Sequence, residues 1–187
     1  MARVTLKHQT LSKSNWKDFT QLFGPNGACG NCWCTYWRVP KMVHEAGKSG
    51  GNKRYMQSLT TQEKQVGLLF YADDKPIAWC SIAPREEFSQ LKRSKLFKAI
   101  DDKKVWSITC LFMHKDIRKK NMSTRIIRAA ASYALKKGAE AVESYPVNPK
   151  DKTADVFLWT GIQSTYEKAG FEIVKQVSET RSIMRKA

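Results

Sequence analysis

The sequence lacks the features that mark membrane, secreted and disordered proteins. No apolar run in its 187 residues approaches the roughly 20 residues that a membrane-spanning helix needs. The first residues alternate like a strand and lack the apolar core of a signal peptide, so we expect a cytoplasmic protein. No repeat, low-complexity segment or linker is visible, and 42% hydrophobic residues excludes a disordered chain. We therefore expect a single domain over residues 1–187.

Acidic residues are also scarce. The chain has 17 Asp and Glu against 33 Lys and Arg, which gives a net charge of +16 spread along its whole length. Such a charge attracts nucleic acid, acidic substrates or an anionic cofactor. A nucleic-acid binder should also have stacking aromatic residues beside its basic ones, and Lys53-Arg54-Tyr55 is a weak example. A basic protein whose charge aids solubility is the simpler interpretation, and nucleic acid is the less favoured partner.

Cysteines are few, and their number is odd. Five cysteines are more typical of a reducing compartment than of a disulfide framework. Cys29, Cys32 and Cys34, with His44 further on, could in principle bind zinc. However, the Cys-x-Cys spacing is tight, and no second Cys-x-x-Cys pair follows. We therefore predict no metal and interpret this segment as an apolar loop with buried thiols. A redox pair of Cys29 and Cys32 is a minor alternative.

Residues 110–137 have the pattern of an apolar strand, a basic turn and a helix in immediate succession. The free N–H groups at a helix N-terminus, together with the positive end of its dipole, favour an anion such as a phosphate. Arg118, Lys119 and Lys120 add positive charge at the same place. The alternative interpretation is a solvated basic turn before an ordinary amphipathic helix.

The turn from Met113 to Ser123 resembles the coenzyme A pyrophosphate loop of the GNAT superfamily of acetyltransferases. The family pattern is an apolar strand, then Val-His-Pro-x-Tyr-Arg-x-x-Gly-x-Gly or Ala, then a helix. The Arg, the spacing and the helix are present here, whereas Asn121 and Ser123 replace the two glycines. Glycine takes positive φ cheaply and lets a ligand approach the backbone, and Asn is among its better substitutes. We therefore expect the loop to form with somewhat hindered access to the diphosphate.

Further segments extend this resemblance to roughly residues 14–184. Ser164–Phe171 resembles the family's Tyr-Glu-x-x-Gly-Phe element, in which a helix ends at a Gly that turns into the next strand. Three other segments are similar to an uncharacterised bacterial branch of the family with Cys-Trp-Cys and Ala-Pro-Arg-Glu-Glu-Phe signatures. These segments are 32–38, 79–88 and 105–110.

The resemblance implies the α/β (α+β) GNAT acyl-CoA N-acyltransferase fold, in which a mixed, mostly antiparallel central sheet has helices on both faces. Hydrophobic periodicity is consistent with this fold. It predicts strands over 3–10, 66–71, 77–83, 106–113, 141–147, 171–177 and 180–185. It predicts helices over 14–23, 124–137 and 155–169, with an irregular, partly helical region over 28–60 and a short arm over 86–94.

The resemblance also implies the reaction, which is direct transfer of an acetyl group from acetyl-CoA to a primary amine of a small molecule or peptide. In this fold the strand before the phosphate loop splays from the next one, and its edge pairs with the pantetheine arm. A homodimer is compatible with the family. By position, the expected cofactor-binding residues are Leu111, Phe112, Met113, Arg118, Lys119, Lys120, Asn121, Met122, Ser123, Thr124 and Asn148.

Two residues are candidates for catalysis by the same resemblance. In many family members the tyrosine at the position of Tyr166 protonates the leaving thiolate, and a tyrosine pKa near 10 keeps that proton at neutral pH. The alternative is that Tyr166 is a core aromatic residue. Glu86 follows the third strand and is a candidate general base, although a surface charge is the commoner role. Cys110 is interpreted as core, because a buried thiol is usually inert. A non-catalytic module that binds nucleic acid or protein through its basic surface is the competing hypothesis.

Overall fold

The structure is a computed structural model that describes residues 5–118, 121–149, 153–154 and 157–187. The strands within these ranges are β1 (Lys7–Thr10), β2 (Leu68–Ala72), β3 (Lys75–Pro84), β4 (Val105–Met113), β5 (Ala141–Ser144), β6 (Glu172–Ser178) and β7 (Arg181–Lys186). The helices are α1 (Trp16–Phe23), α2 (Lys41–Ala46), α3 (Gly51–Thr61), α4 (Ser89–Arg93), α5 (Met122–Lys136) and α6 (Gln163–Lys168). No helix in this part of the chain is long and apolar enough to cross a membrane.

The strands form one seven-stranded sheet in the order β1-β2-β3-β4-β5-β7-β6. Every neighbouring pair is antiparallel except β4 and β5, which are parallel. This arrangement confirms the predicted mixed, mostly antiparallel sheet.

Helices cover both faces of the sheet because the central strands are apolar on both sides. Along β3, Ala78, Cys80 and Ile82 are fully buried against α5. Trp79 points to the opposite face, where it lies in one cluster with Phe19 and Phe23 of α1. This alternation follows from the two-residue period of a strand, and it places α5 on one face of the sheet and α1 on the other.

A β-bulge interrupts β4 in its middle. Ser81 of β3 pairs with Cys110, whereas the next residue, Ile82, pairs with Ile108, so Thr109 is the extra residue. The parallel pairing with β5 ends at the same level, at Ile108 and Ser144. Because a bulge bends and twists its strand, β4 leaves β5 from this point on, and a gap opens toward Met113.

Several predicted elements are shorter than expected. The strand predicted over 3–10 begins only at Lys7, and residues 3 and 4 lie outside the described ranges. The strand predicted over 141–147 ends at Ser144, and Val147 forms only isolated bridges, since Pro146 has no N–H to donate. The prediction of a helix over 155–169 was wrong in its first half, because α6 begins only at Gln163. Gly161 has a φ of 84°, which no right-handed helix contains. Residues 155 and 156 lie outside the described ranges.

Candidate active site

The turn after β4 leads to the N-terminus of α5. Asn121, the residue before the helix, has a φ of 51° and a ψ of 18°, the left-handed conformation that glycine adopts most easily. Its side chain makes no capping hydrogen bond, and the first turn of α5 contains no acidic residue. The Asn121 side chain therefore does not occupy the first N–H groups of this fifteen-residue helix. No carboxylate in the first turn would repel an anion that binds there.

The side chains around this turn differ in what they offer. The Arg118 Nε donates a hydrogen bond to the Met113 carbonyl at 3.3 Å, which folds the guanidinium back over the end of β4. Met122 and Thr124 are buried, and Ser123 is half-buried, so the first turn of the helix presents mainly its backbone. Lys119 and Lys120 lie outside the described residues.

The gap between β4 and β5 is bridged by the chain itself. The Leu111 N–H donates to the Trp159 carbonyl at 2.7 Å, and the Val147 N–H donates to the Gly161 carbonyl at 2.9 Å. The Gln163 N–H returns to the Val147 carbonyl at 2.9 Å. We call residues 159–163 the bridging segment. This segment accepts the hydrogen bond of the Leu111 amide, on the strand edge where the sequence analysis expects the cofactor. Phe112 and Met113 follow on the same strand and are half-buried.

Tyr166 lies directly behind the bridging segment. Its side chain is fully buried, and its hydroxyl donates to the Thr160 carbonyl at 3.1 Å. Burial raises the pKa of Tyr166 well above its usual value, and the nearby thiols of Cys80 and Cys110 act in the same direction. The phenol therefore keeps its proton at neutral pH, but that proton is engaged with Thr160.

Glu86 and Asn148 are both exposed. Glu86 follows β3 next to the start of β4, because Pro84 pairs with Trp106. Met113 lies seven residues further along β4 than Trp106, roughly 23 Å at strand spacing. Asn148 lies just after Val147, and its N–H donates to the Thr180 carbonyl at 2.8 Å, beside β7.

The end of the sheet that carries Glu86 has a cavity of about 740 Å³. Buried Glu143 lies in its wall and contacts both Arg85 and Arg185, with Nε to Oε2 at 3.4 Å and Nη2 to Oε1 at 2.8 Å. The Tyr145 hydroxyl also donates to Glu143 at 2.8 Å. This buried carboxylate is therefore neutralised by two guanidinium groups, which suits a structural role at the junction of β5 and β7.

The three cysteines of the 28–40 loop and His44 were also considered as zinc ligands. Among the residues that the structure describes, no group of His, Cys, Asp and Glu is arranged to hold a metal ion. His44 is buried, and its Nδ1 lies 3.0 Å from the Thr35 hydroxyl. Burial lowers the pKa of His44, so the ring is a neutral hydrogen-bonding partner at physiological pH. Cys29 is exposed, whereas Cys34 is buried.

Cys34 is a buried cysteine of the same loop. Its Sγ accepts a hydrogen bond from the Trp79 Nε1 at 3.2 Å. The neighbouring Cys110, with Trp79, Ser81 and the charge of Arg38, lowers the pKa of the Cys34 thiol to about 7 despite its burial. Conversely, the contact with Cys34 and burial raise the pKa of Cys110 well above its usual value. The sequence signal was the Cys-Trp-Cys segment, but it contained nothing to show that Cys110 would be its partner.

Three aromatic side chains lie over the gap on the side of the 28–40 loop. The Tyr36 ring lies 5.3 Å from both the Trp37 and the Trp159 rings, and Trp37 and Trp159 are 6.0 Å apart. The Trp37 Nε1 is buried and has no hydrogen-bond partner among the described residues. The three side chains of this aromatic group are half-buried, so part of each ring is exposed beside the gap.

A sheet that opens after a bulged strand, followed by a helix whose N-cap side chain makes no capping hydrogen bond, is typical of acyl-CoA N-acyltransferase folds. The sequence profile of the acetyltransferase (GNAT) family matches residues 34–171, so the chain belongs to that family, whose members are acetyl-CoA-dependent N-acetyltransferases. No curated protein matches the chain.

Solved structures agree with this fold. The PaiA N-acetyltransferase of Thermoplasma acidophilum, in complex with coenzyme A, has a TM-score of 0.54 at 15% identity, over 97% of this chain and 98% of that chain. The aminoglycoside acetyltransferase AAC(6')-Ib, in complex with ribostamycin and coenzyme A, has a TM-score of 0.60 at 12% identity, over 98% and 93% of the two chains. Arylalkylamine N-acetyltransferase 2 of Aedes aegypti has a TM-score of 0.55 at 14% identity, over 98% and 99%.

Proposed function

We propose that the protein moves the acetyl group of acetyl-CoA directly to a primary amine of a small molecule or peptide, with residues 1–187 acting as a single domain. The observation that carries the proposal is the N-terminus of α5, which the Asn121 side chain leaves uncapped and which follows the strand that splays from its parallel neighbour. When bound, acetyl-CoA supplies an acyl group activated as a thioester, so the chain itself needs to bind, orient and manage protons.

The residues around the turn fit a diphosphate. The first N–H groups of α5, at Met122, Ser123 and Thr124, favour an anion. Asn121 has the backbone conformation that the family's glycine would take. In our proposal Arg118, Lys119 and Lys120 neutralise the phosphates.

The strand edge fits the pantetheine arm once the bridging segment moves. Leu111, Phe112 and Met113 present that edge, and the Leu111 N–H is bonded to Trp159. We propose that the Leu111 N–H exchanges the Trp159 carbonyl for the cofactor, and that Asn148 lies at the other side of the gap. Tyr166 stays our candidate proton donor to the leaving sulfur, because the same movement would free its hydroxyl from Thr160. Glu86 stays our candidate general base, and it follows β3 beside the start of β4.

The acceptor amine enters, in this proposal, from the side of the aromatic group. Tyr36, Trp37 and Trp159 offer ring faces that suit the apolar part of an amine or a cation. Neighbouring folds in complex with an aminoglycoside, or named for arylalkylamines, supply the first compounds for a screen. All five cysteines are unpaired, as a reducing cytoplasm would keep them, and the cytoplasmic location stays a prediction.

Calorimetric titration with acetyl-CoA tests the proposal, with desulfo-CoA and ATP as controls. We expect micromolar binding by the native protein. Asn121→Gly should bind more tightly, because glycine removes the cost of positive φ and opens the backbone to the diphosphate. A gain of about 1 kcal/mol in binding free energy corresponds to about fivefold in affinity. Arg118→Ala should weaken binding. A panel of amines is then compared by the loss of the thioester of acetyl-CoA. The panel consists of kanamycin, spermidine, tyramine and a lysine peptide. No binding at millimolar acetyl-CoA would contradict the proposal and favour a non-catalytic module.

A further inference from the structure

We propose that the cavity at the start of β4 is a second anion site, which binds the polyphosphate of a small molecule. The source of that group is either free tripolyphosphate or a nucleoside triphosphate. The cavity measures about 740 Å³, within the range of roughly 300–1,000 Å³ that is typical of small-molecule sites. It lies at the opposite end of β4 from the turn that we assign to coenzyme A, so the inference does not rest on the proposed function.

Segments that are far apart in the chain meet around this cavity. Residues 84–86 follow β3, residues 103–106 lead into β4, and residues 137–138 end α5. The Lys104 N–H donates to the Glu140 Oε2 at 2.8 Å, and the Glu140 N–H donates to the Lys104 carbonyl at 2.9 Å. These two bonds hold the loop before β4 beside the loop that follows α5, so opposite sides of the cavity are tied together.

Two of the three acidic residues in the wall are already neutralised. The buried Glu143 contacts Arg85 and Arg185, as described above. Arg185 also pairs with Asp101, with Nη2 to Oδ1 at 3.0 Å. The Arg85 Nε is buried and makes no hydrogen bond among the described residues. Two guanidinium groups therefore balance two carboxylates, and the exposed Glu86 is the remaining acidic residue of the wall.

The lysines of the wall have no such partners. Within the described part of the chain, the ion pairs include none of Lys92, Lys103, Lys104 and Lys137. Their charge exceeds that of Glu86, so the cavity is positive and attracts anions. A polyphosphate carries several negative charges in a row, so it can contact several of these lysines at once. A single carboxylate cannot.

Trp106 adds an aromatic side chain to the same cavity. It is half-buried, and its ring lies 6.1 Å from that of Tyr133. The Lys137 Nζ lies 5.8 Å from the centroid of the same Tyr133 ring, so Trp106 and Lys137 lie on neighbouring positions of the wall. An indole beside an ammonium group suits a nucleotide, whose base can stack while its phosphates contact the lysines.

The lining favours a small molecule over nucleic acid. Proteins that bind single-stranded nucleic acid combine a positive groove with several aromatic side chains, on which successive bases stack. Among the described residues that line this cavity, Trp106 is the one aromatic residue. The cavity therefore offers a place for one base at most.

Calorimetric titration with tripolyphosphate tests the site, in the presence of saturating desulfo-CoA to occupy the turn before α5. We expect one tripolyphosphate to bind per chain under this condition. No binding at millimolar tripolyphosphate would overturn the inference. If the protein does not bind desulfo-CoA, the proposed function fails, and the same titration of Arg118→Ala tests this inference alone. Loss of tripolyphosphate binding in that variant would place the anion at the turn and overturn the inference.

Substitution of the wall lysines tests where the anion binds. We expect Lys103→Gln combined with Lys104→Gln to weaken tripolyphosphate binding by about tenfold, because each lost charge is worth up to about fivefold. Both lysines are exposed, so the variant should keep the native Tm. Lys98→Gln is the matched control, because Lys98 is exposed in the same loop but does not line the cavity. An equal loss per charge in the control would assign the binding to the general field of the protein and overturn the inference.

The same titration with ATP distinguishes the two sources of the polyphosphate. Tighter binding of ATP than of tripolyphosphate, with the difference lost in a folded Trp106→Leu, would support a nucleotide. Equal binding of the two compounds would support free polyphosphate. ATP that competes with desulfo-CoA would overturn the inference, because the two sites are separate. A short single-stranded RNA that needs Lys103 and Lys104, but that tripolyphosphate does not displace, would assign this face to nucleic acid and also overturn it.

Discussion

At the scale of single residues, the hydrogen bond of Tyr166 separates a catalytic from a structural tyrosine. Its hydroxyl donates to a buried carbonyl, so Tyr166→Phe leaves that carbonyl unpaired and should cost about 1–2 kcal/mol of unfolding free energy. If Tyr166 also protonates the leaving sulfur, as we propose, kcat falls by roughly 100-fold as well. Urea unfolding and steady-state kinetics measure the two effects separately.

The matched control for this change is Tyr133→Phe. Tyr133 lies on α5, and its hydroxyl donates to the Gln65 side chain at 3.0 Å, away from the gap. This variant should lose a comparable hydrogen bond with native kcat. A Tyr166→Phe variant that is destabilised but has the kcat of the control would assign Tyr166 to the core.

Asn121 and Cys34 both have positive φ without being glycine. At Asn121 the sequence alone anticipated this conformation, because the family pattern has glycine there and Asn tolerates it. At Cys34 no sequence pattern required it, and the structure shows its sulfur held by the indole N–H of Trp79 on β3.

At the scale of elements, the bridging segment links α6 to the gap in the sheet. Gly161 has a φ of 84°, and a Cβ there would lie 2.7 Å from the Tyr166 ring and 3.2 Å from the Leu111 side chain. Gly161→Ala should therefore combine a backbone cost with a steric one, about 2–4 kcal/mol in total. Chemical denaturation measures this loss.

Gly138 offers a matched control at the end of α5. Its φ is 90°, similar to that of Gly161, but a Cβ there would meet nothing within 4 Å. Gly138→Ala should therefore show only the backbone cost, about 1–2 kcal/mol. Equal losses in the two variants would mean that the bridging segment adapts without strain, and would weaken the close contact described here.

At the scale of the whole molecule, the net charge of +16 predicts a salt-dependent KM for acetyl-CoA. The cofactor phosphates are attracted by the field of the protein, and added salt screens it over the Debye length. We expect KM to rise several-fold between about 0.05 and 0.5 M salt, with kcat little changed. Acetyl-pantetheine, which lacks the phosphates, is the control and should have a nearly constant KM. Equal salt dependence for both compounds would show that the charge acts elsewhere.

The sequence by itself determined the family, the class of fold and the position of the basic turn before α5. These features depend on local patterns: the strand period in β3, the Arg and helix after β4, and the glycine that ends α6. Only the tertiary structure decided that the Trp159 carbonyl accepts the hydrogen bond of the Leu111 amide, that Glu86 lies beside the start of β4 and that Cys110 packs against the cluster that contains Cys34. Contacts of this kind join residues far apart in the chain, and their partners depend on strand register and on the bulge at Thr109. A one-residue shift in register would turn Cys110 to the other face of the sheet, so the sequence pattern alone could not specify its partner.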